Sequence, residues 1–410
     1  MRQAYIPDSI INLHKWLSNQ DYTYYSLNSL SNARLISFLC RKSKFVGLCW
    51  RQLFRISPIN LRKLFRQTPP ALDSKAAILL TSAYMHLMYE FGHENFDQAF
   101  NNNMERVMSL SSSRSKHFAV RQGTNLQLKL YDAEPEDISP LLTCWAGGLF
   151  VAAYNTTGDT AYANYAHEVA HYFIEEHPRE ATDESVYFYY EPSISHKIYN
   201  ASCEISSYLI QYGSEFGDEE ARELGLKGIN YILKQQRDEG SWFYGEGRAS
   251  QYIDSFHTVF ILRGLLRVMK YAYWDELNTA FLRGLNYYLH SLFKKENPEI
   301  LRPRHFDPRF LPMNSNAIQK VDLRDCALGI MFFTELIQDG RFDVDQENYL
   351  DPLMNWTEAN MRYGNTYCPE QTWLWKNRIP YIEFQAWMLL ALAWYYGAKP
   401  AAKPDDGQNA

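Results

Sequence analysis

The sequence predicts an all-α protein built as an (α/α) toroid, a ring of helical hairpins, with a basic helical N-terminal segment. Patterns typical of strands are scarce, and helical periodicity recurs at a spacing of roughly 55 to 70 residues. Apolar helices rich in small residues also alternate with amphipathic ones. A ring needs this alternation because its inner helices contact neighbours on all sides, whereas outer helices face water on one side. The pattern leaves open whether the ring is complete.

Five segments carry the repeated pattern, in which polar or aromatic residues open an apolar helix. They start near Cys144, Ala201, Phe256, Asp325 and Phe384. Amphipathic stretches follow after a turn, as at 159–176, 218–236 and 274–293. We interpret the five segments as inner helices and expect their N-terminal ends to converge on one face of the ring. The loops just before those ends are then the expected functional site.

The chain divides into three predicted parts. Residues 75–397 are expected to form the toroid as one domain, because the helical texture continues without a break rich in Pro, Gly or Ser. Residues 1–74 are expected to pack on it as a basic helical segment, and residues 398–410 to form a disordered tail.

The basic segment carries nine Lys or Arg residues and no acidic residue between positions 34 and 66. Aromatic and aliphatic side chains are interleaved with these charges. Such a segment suits an anionic membrane surface or an acidic polymer. A solvated face of ordinary helices is the alternative interpretation.

Composition limits the class of protein. The formal charge of −6 over 410 residues argues against general nucleic-acid binding. Six cysteines without a CxxC pair favour a reducing compartment. The N-terminal residues show no signal-peptide pattern, and the longest apolar runs are too short or interrupted to cross a bilayer. We therefore expect a cytoplasmic protein, with peripheral contact to the inner membrane as an option.

The most informative loop reads Gly-Ser-Trp-Phe-Tyr-Gly at 240–245 and continues as Tyr-Ile-Asp-Ser-Phe-His-Thr at 252–258. Aromatic faces of Trp242, Tyr244 and Tyr252 can cover the apolar face of a sugar ring. Asp254 and His257 supply polar groups that fix orientation or move protons. The 30 Tyr and 10 Trp residues also favour a carbohydrate cleft. A packed loop with satisfied hydrogen bonds remains the alternative.

These motifs, with Tyr-Asn-Ala-Ser at 199–202 and Ser-Pro-Ile-Asn-Leu-Arg at 57–62, resemble α/α-toroid proteins of capsule and exopolysaccharide gene clusters. The likeness spans most of residues 50–395. More distantly, Thr157-Gly158-Asp159 followed by Ala161-Tyr162, with the Tyr-rich loop near Tyr189, is similar to the toroid of heparosan-type glucuronyl C5-epimerases and to toroid polysaccharide lyases. We expect no counterpart of the β-rich N-terminal portion of the animal epimerases, so their individual catalytic roles are not carried over. The resemblance implies polysaccharide biosynthesis, with capsule-synthesis proteins as an optional partner.

Proton abstraction at C5 of a uronic acid fits the polar residues of these loops. That proton is acidic only when the adjacent carboxylate is neutralised, for which His196, Asn200, Arg248 and Arg378 are the candidates. Tyr252 and His257 are the predicted candidates for the base that removes the proton, provided that neighbours lower the pKa of the base, and Tyr190 is predicted to approach from the other side. We thus predict a D-glucuronyl C5-epimerase of an acidic polysaccharide, with neither metal nor cofactor.

Three other functions stay open. Departure of the 4-linked sugar after proton abstraction would make the protein a lyase. A hydrolase would use carboxylates such as Asp254, Asp322 and Asp325, although these residues also suit helix N-caps and first turns. A non-catalytic glycan-binding component of capsule assembly would bind polymer without changing it.

His167-Glu168-Val169-Ala170-His171 matches the HExxH pattern of zinc peptidases. We disfavour a peptidase because the pattern is short and the stretch fits an outer helix away from the aromatic loops. No third ligand stands in an obvious helical context, although Glu175, Glu176 and His177 remain options.

Overall fold

The computed structural model describes residues 6–25, 72–92, 94–124, 126–127, 132–190, 197–312, 320–372 and 374–398, with isolated positions between 38 and 53. Its α-helices are α1 (Asp8–Asn19), α2 (Ser74–Phe91), α3 (Glu94–Met108), α4 (Pro140–Thr157), α5 (Thr160–His171), α6 (Tyr199–Phe216), α7 (Glu219–Lys234), α8 (Ser255–Val268), α9 (Asp275–Ser291), α10 (Leu323–Asp339), α11 (Asp351–Met361) and α12 (Ile382–Gly397).

The strands are short, as the sequence predicts. They are β1 (Leu126–Gln127), β2 (Asp132–Ala133), β3 (Arg179–Ala181), β4 (Val186–Phe188), β5 (Phe293–Asn297), β6 (Ile300–Pro303), β7 (Val321–Asp322), β8 (Arg362–Tyr363), β9 (Thr366–Tyr367), β10 (Glu370–Gln371) and β11 (Lys376–Asn377). All pairings are antiparallel, and β10 joins β7 to β11 with Glu370 opposite Asp322. These ribbons brace the segments that lead into inner helices.

The helices form a closed ring of hairpins. α2, α4, α6, α8, α10 and α12 pack side by side in this order, and α12 returns to pack on α2. α3, α5, α7, α9 and α11 each pack on the inner helix that precedes them, and α1 packs on α12. The predicted (α/α) toroid is therefore confirmed. The N-terminal helix occupies the sixth outer position, so its buried Leu13 and Leu17 help to close the ring.

The apolar pattern explains which helices are inner. α12 reads Ile-Glu-Phe-Gln-Ala-Trp-Met-Leu-Leu-Ala-Leu-Ala-Trp-Tyr-Tyr-Gly and is buried around almost its whole circumference. In α7, by contrast, burial recurs at three- and four-residue steps, at Ala221, Gly225, Gly228, Ile229 and Ile232. A single apolar stripe leaves the opposite side of α7 to water, as an outer helix requires.

The two faces of the ring differ. Gly158, Gly217 and Gly340 end α4, α6 and α10 in the left-handed conformation, with φ of 73°, 73° and 72°. Asp159 and Asp218 then cap the next helix at once, which gives tight hairpin turns. Long segments precede the inner helices at the opposite face. We call this side, where the N-terminal ends of the inner helices lie, the loop face.

Parts of the N- and C-terminal predictions concern residues outside the described ranges. Most of the basic stretch at 34–66 and the tail from 399 onward belong there, so their predicted roles stay predictions. Among the helices that are described, none has the length and hydropathy needed to cross a bilayer.

Candidate active site at the loop face

The loop at 240–254 is fixed by close backbone approaches. Gly240 has φ of 94°, and a Cβ atom there would lie 2.4 Å from a backbone oxygen of α9. Gly245 forms a β-bridge with Ile198, and the Tyr199 N–H donates to the Tyr244 carbonyl at 3.1 Å. Only glycine accepts these positions without displacing its neighbours. The loop is thereby held against the start of α6.

An aromatic and imidazole group forms where this loop enters α8. The rings of Tyr244 and Tyr252 stack with centroids 5.0 Å apart, and the Tyr244 ring lies 4.3 Å from the His257 ring. Burial raises the pKa of Tyr252, and Asp254 and Tyr190 raise it further. Burial, Tyr190 and Tyr252 likewise raise the pKa of Tyr244. The structure thus brings together five predicted residues, which we call the loop-face cluster: Tyr190, Tyr244, Tyr252, Asp254 and His257.

The raised phenol pKa differs from the lowered pKa expected for a tyrosine base. Burial and the neighbouring Asp254 carboxylate both disfavour the phenolate of Tyr252. Tyr252 therefore stays protonated at neutral pH and is suited to donate a proton.

Asp254 orients His257. Its Oδ1 accepts the His257 backbone N–H at 2.7 Å and so caps α8, while Oδ2 lies 2.6 Å from His257 Nδ1. Burial alone would raise the pKa of Asp254, but His257 outweighs it and the pKa lies below its usual value. An ionised carboxylate only accepts, so Nδ1 carries a proton, and in the neutral imidazole Nε2 keeps the lone pair. The His257 side chain is 25% exposed, against 4% for Asp254.

A second histidine–carboxylate pair lies beside the first. His305 Nδ1 is 2.8 Å from Asp325 Oδ2 at the start of α10. Burial raises the pKa of Asp325, although His305 opposes the shift. Asp325 Oδ1 is buried and has no hydrogen-bond partner within the described ranges. The Ser255 N–H donates to the His305 carbonyl at 2.9 Å, which joins the two loops.

Two predicted substrate-binding residues are close to the loop-face cluster along the chain: Arg248 lies between Tyr244 and Tyr252, and Asn200 follows Tyr199, whose N–H donates to the Tyr244 carbonyl. Asn200 is the second residue of α6; it is buried, and its Oδ1 finds no hydrogen-bond partner among the residues that the structure describes. Arg248 is exposed on a 3₁₀ turn between the two halves of the 240–258 motif. No ion pair joins Arg248 to another described side chain.

Trp242 and Arg378, two further predicted binding residues, are not members of the loop-face cluster. Trp242 is 2% exposed, and its Nε1–H donates to the Ile232 carbonyl at 3.0 Å, so the indole is part of the core behind the loop. The Arg378 guanidinium packs against the Tyr363 ring at 5.1 Å. His196 lies outside the described residues.

A cavity of about 240 Å³ lies on the ring axis and is lined by residues of all six inner helices. We call it the axial cavity. Arg263 donates to both oxygens of Glu335 at 2.7 Å, and Arg267 lies 3.7 Å from Glu204. The Trp145 Nε1–H also donates to Glu204 at 3.2 Å.

The sequence prediction missed the axial cavity, and it did not name His305 as a site residue, although the loop 305–325 before α10 is one of the loops expected at the site. Arg263, Arg267 and Glu335 interrupt otherwise apolar inner helices, and that interruption was the available signal. A charge inside an apolar helix faces a partner or a cavity, because an isolated buried charge is costly. His305 had a weaker signal, since it only shares a loop with other polar residues.

Aromatic side chains connect the loop-face cluster to the axial cavity. The Phe256 ring lies 5.2 Å from His257 and 6.3 Å from Trp387. Trp387 in turn contacts Trp145 edge-on at 5.6 Å. Phe256 and Trp387 therefore form an apolar layer beneath His257. The Arg263–Glu335 and Arg267–Glu204 pairs of the axial cavity lie on the other side of this layer.

Comparison with known proteins supports the fold. No family model and no curated protein matches the chain. Solved structures do: the unsaturated glucuronyl hydrolase of Bacillus sp. GL1, described as responsible for glycosaminoglycan degradation, has a TM-score of 0.59 at 10% identity, covering 94% of each chain. A family 76 glycoside hydrolase (mannosidase) of Bacteroides thetaiotaomicron reaches 0.59 at 12% identity, covering 96% of this chain and 98% of its own.

A cellobiose 2-epimerase of Bacillus thermoamylovorans has a TM-score of 0.56 at 9% identity, covering 78% of this chain and 87% of its own. The chain shares the (α/α)-toroid fold of these enzymes. At such low identity the likeness concerns the fold alone, so function is argued from the site.

Proposed function

We propose that the protein modifies uronic acid residues of an acidic polysaccharide by moving the C5 proton, and that it acts as a uronyl C5-epimerase. One observation carries this proposal. The partly exposed acid and base groups of the loop-face cluster are an imidazole and phenols, whereas the Asp254 and Asp325 carboxylates are buried behind imidazoles. Such groups are suited to proton transfer at carbon.

His257 is the proposed base. Asp254 holds the proton on Nδ1, so the Nε2 lone pair is available to take the C5 proton of the sugar. The imidazolium that forms is stabilised by the ionised Asp254, as in other carboxylate–histidine pairs.

A phenol is the proposed acid. After His257 removes the proton, the electron pair delocalises into the C6 carboxylate, and a proton delivered to the opposite face of C5 inverts the configuration. Tyr252 and Tyr190 are the candidates for this acid. Tyr252 is the preferred candidate, because burial raises its pKa and so keeps the phenol protonated until the reaction takes place. Solvent then reprotonates the phenolate and removes the proton from His257. The reverse reaction starts from the phenolate and the imidazolium, before solvent restores the two groups, so that the phenolate takes the C5 proton and the imidazolium returns one.

Arg248 and Asn200 are the proposed ligands of the sugar carboxylate. Arg248 is exposed, lies in the loop that carries Tyr244 and Tyr252, and makes no ion pair with another described residue. The arginine guanidinium binds a carboxylate through two parallel hydrogen bonds and compensates its negative charge. The resemblance to capsule-cluster toroids and glucuronyl C5-epimerases supports a uronate as the substrate.

A hydrolase is the second candidate, favoured by a different observation. The pKa of Asp254 is lowered and that of Asp325 is raised, a split typical of a base and an acid. Complete burial of Asp325 behind His305 weighs against direct contact with a glycosidic oxygen. The two proposals predict different products.

The test is a panel of uronans that includes heparosan, polymannuronate and polyglucuronate. Proton NMR should detect new iduronate or guluronate signals with the wild-type protein. His257→Gln should abolish them, whereas His290→Gln, at an exposed position on α9, should not. New reducing ends would instead support the hydrolase, and ultraviolet-absorbing unsaturated ends a lyase. Polymer binding without conversion, unchanged in His257→Gln, would indicate the non-catalytic protein and contradict the proposal.

A further inference from the structure

A second polar group lies on the outer side of the ring, where the segment after α3 meets the end of α5. His117, His171 and Glu175 each offer a ligand atom, and these atoms all lie within 4.8 Å of one another. His117 Nε2 is 3.4 Å from one Glu175 oxygen, and His171 Nδ1 is 2.7 Å from the other. Glu175 lies in a π-helical turn (Tyr172–Glu176). Such turns are wider than α-helical turns and are frequent at functional sites.

The tautomer of His117 leaves its Nε2 atom able to coordinate a metal ion. Its Nδ1 lies 2.9 Å from a Glu168 oxygen, so a carboxylate holds the proton on Nδ1. The Nε2 lone pair then faces Glu175, and this buried atom has no hydrogen-bond partner within the described part of the chain. Histidines that bind metals almost always donate their other ring N–H to a carboxylate or carbonyl in this way.

We propose that His117, His171 and Glu175 bind one divalent transition-metal ion, with zinc the best chemical match. Two imidazoles and one carboxylate are a common zinc donor set. Zinc–ligand bonds of about 2.0 Å place tetrahedral ligand atoms about 3.3 Å apart. The separation of His117 Nε2 and Glu175 is 3.4 Å, and since the three ligand atoms as a group lie within 4.8 Å, metal binding would draw them together. Water would complete the coordination.

This site differs from the HExxH peptidase arrangement. His167, the first histidine of that motif, lies 2.7 Å from the Tyr212 hydroxyl through its Nδ1 and is not a member of the ligand group. Glu168, the supposed peptidase base, instead orients His117. The metal would join the segment after α3 to the end of α5, which indicates a structural clamp rather than a catalytic centre.

Lys116 provides a sharp test. Its Nζ pairs with a Glu175 oxygen, the same oxygen that faces His117. A metal ion must displace this ammonium group. Lys116→Met should therefore tighten metal binding, an effect that a purely structural role of the cluster would not produce.

The experiment is calorimetric titration of ZnCl₂ into EDTA-treated full-length protein, with Co²⁺ visible absorption as a second readout and circular dichroism to check folding. One equivalent should bind to the wild type. His117→Ala and His171→Ala should weaken binding at least about 100-fold, and Glu168→Gln about 10- to 100-fold. His167→Ala and His290→Ala should bind as the wild type does.

Two results would overturn the proposal. One is the absence of saturable one-to-one binding by the folded wild-type protein. The other is binding that depends on His167 but is unchanged in His117→Ala, since it would restore the HExxH ligand set. If the His117→Ala protein fails to fold, Glu168→Gln and Lys116→Met decide the question, because their opposite expected effects require a metal at Glu175.

Discussion

The loop-face cluster and the axial cavity lie on either side of one aromatic layer, yet their polar groups are arranged differently. In the cluster, His257 is held on one side by Asp254 and is open to solvent on the other. In the cavity, Arg263 and Glu335 satisfy each other through two hydrogen bonds, and each side chain is at most 14% exposed. The cluster keeps a group available for a ligand, whereas the charges of the cavity are already compensated.

This difference predicts separate effects on activity and stability. A group open to the ligand contributes to the reaction and little to folding. A buried ion pair responds in the opposite manner, because the loss of one partner leaves the other buried and unpaired. Variants on the two sides of the aromatic layer therefore test the comparison.

The largest effect is expected at His257. His257→Gln removes the proposed base, and its loss should slow C5 proton exchange by about 10²- to 10⁴-fold. The free energy of unfolding should change by less than about 1 kcal/mol, because the side chain is partly exposed and the glutamine amide can still donate a hydrogen bond to Asp254. Exchange rates and urea denaturation of the same preparation measure both quantities. A variant that is strongly destabilised, yet exchanges the C5 proton at the wild-type rate while folded, would reverse the assignment.

Glu335→Leu should act on stability instead. It leaves Arg263 buried without its partner, which we expect to lower the free energy of unfolding by about 3–5 kcal/mol. Exchange per folded molecule should stay near the wild-type value. The double variant Arg263→Met/Glu335→Leu is the matched control, and it should recover most of the lost stability. A large loss of exchange in folded Glu335→Leu would place the cavity in the reaction.

Asp254→Asn tests how His257 is oriented. Asparagine is a good N-cap, so α8 should keep its start. The charge that stabilises the imidazolium is lost, and exchange should fall about 10²-fold or more, as in other carboxylate–histidine pairs. Circular dichroism with the exchange assay separates the two functions of Asp254. Exchange at the wild-type rate would remove Asp254 from the proposed mechanism.

The smallest effect concerns pH and His86, which lines the axial cavity. Burial lowers its pKa from 6.5 to about 4, with Glu335 opposing the shift and Arg263 adding to it. As pH falls from 6.5 towards 4, the unfolded chain therefore binds a proton that the folded chain refuses, and stability decreases by roughly 1–3 kcal/mol. Urea denaturation between pH 7.5 and 4.5 measures this, and His86→Gln should show a shallower pH dependence than His290→Gln. Equal slopes would contradict the assignment.

The fold was accessible from the sequence because local patterns determine it. The circumferential burial of α12 and the single stripe of α7 follow directly from their residues. The sequence also placed Tyr244, Tyr252, Asp254 and His257 together, since one loop and one helix start carry all four. Part of the candidate site was therefore predictable from a short stretch of chain.

Contacts between distant segments were not predictable. The His305–Asp325 pair depends on a loop folding back on the helix that follows it, and the axial pairs depend on which inner helices become neighbours. The direction of the Tyr252 pKa shift was also missed, because it is set by burial and Asp254 rather than by residue type. To predict that α1 closes the ring, one would have needed the position of α12, which lies at the other end of the chain.

The most direct test of the proposed chemistry is exchange of the C5 hydrogen of a uronan in heavy water. The wild-type protein should introduce deuterium at C5, detected by mass spectrometry of the released uronic acids. His257→Gln should not, and Tyr252→Phe should do so far more slowly. Folded wild-type protein that exchanges no C5 hydrogen in any of the uronans, or that cleaves them without exchange, would contradict proton transfer at carbon as the function of the loop-face cluster.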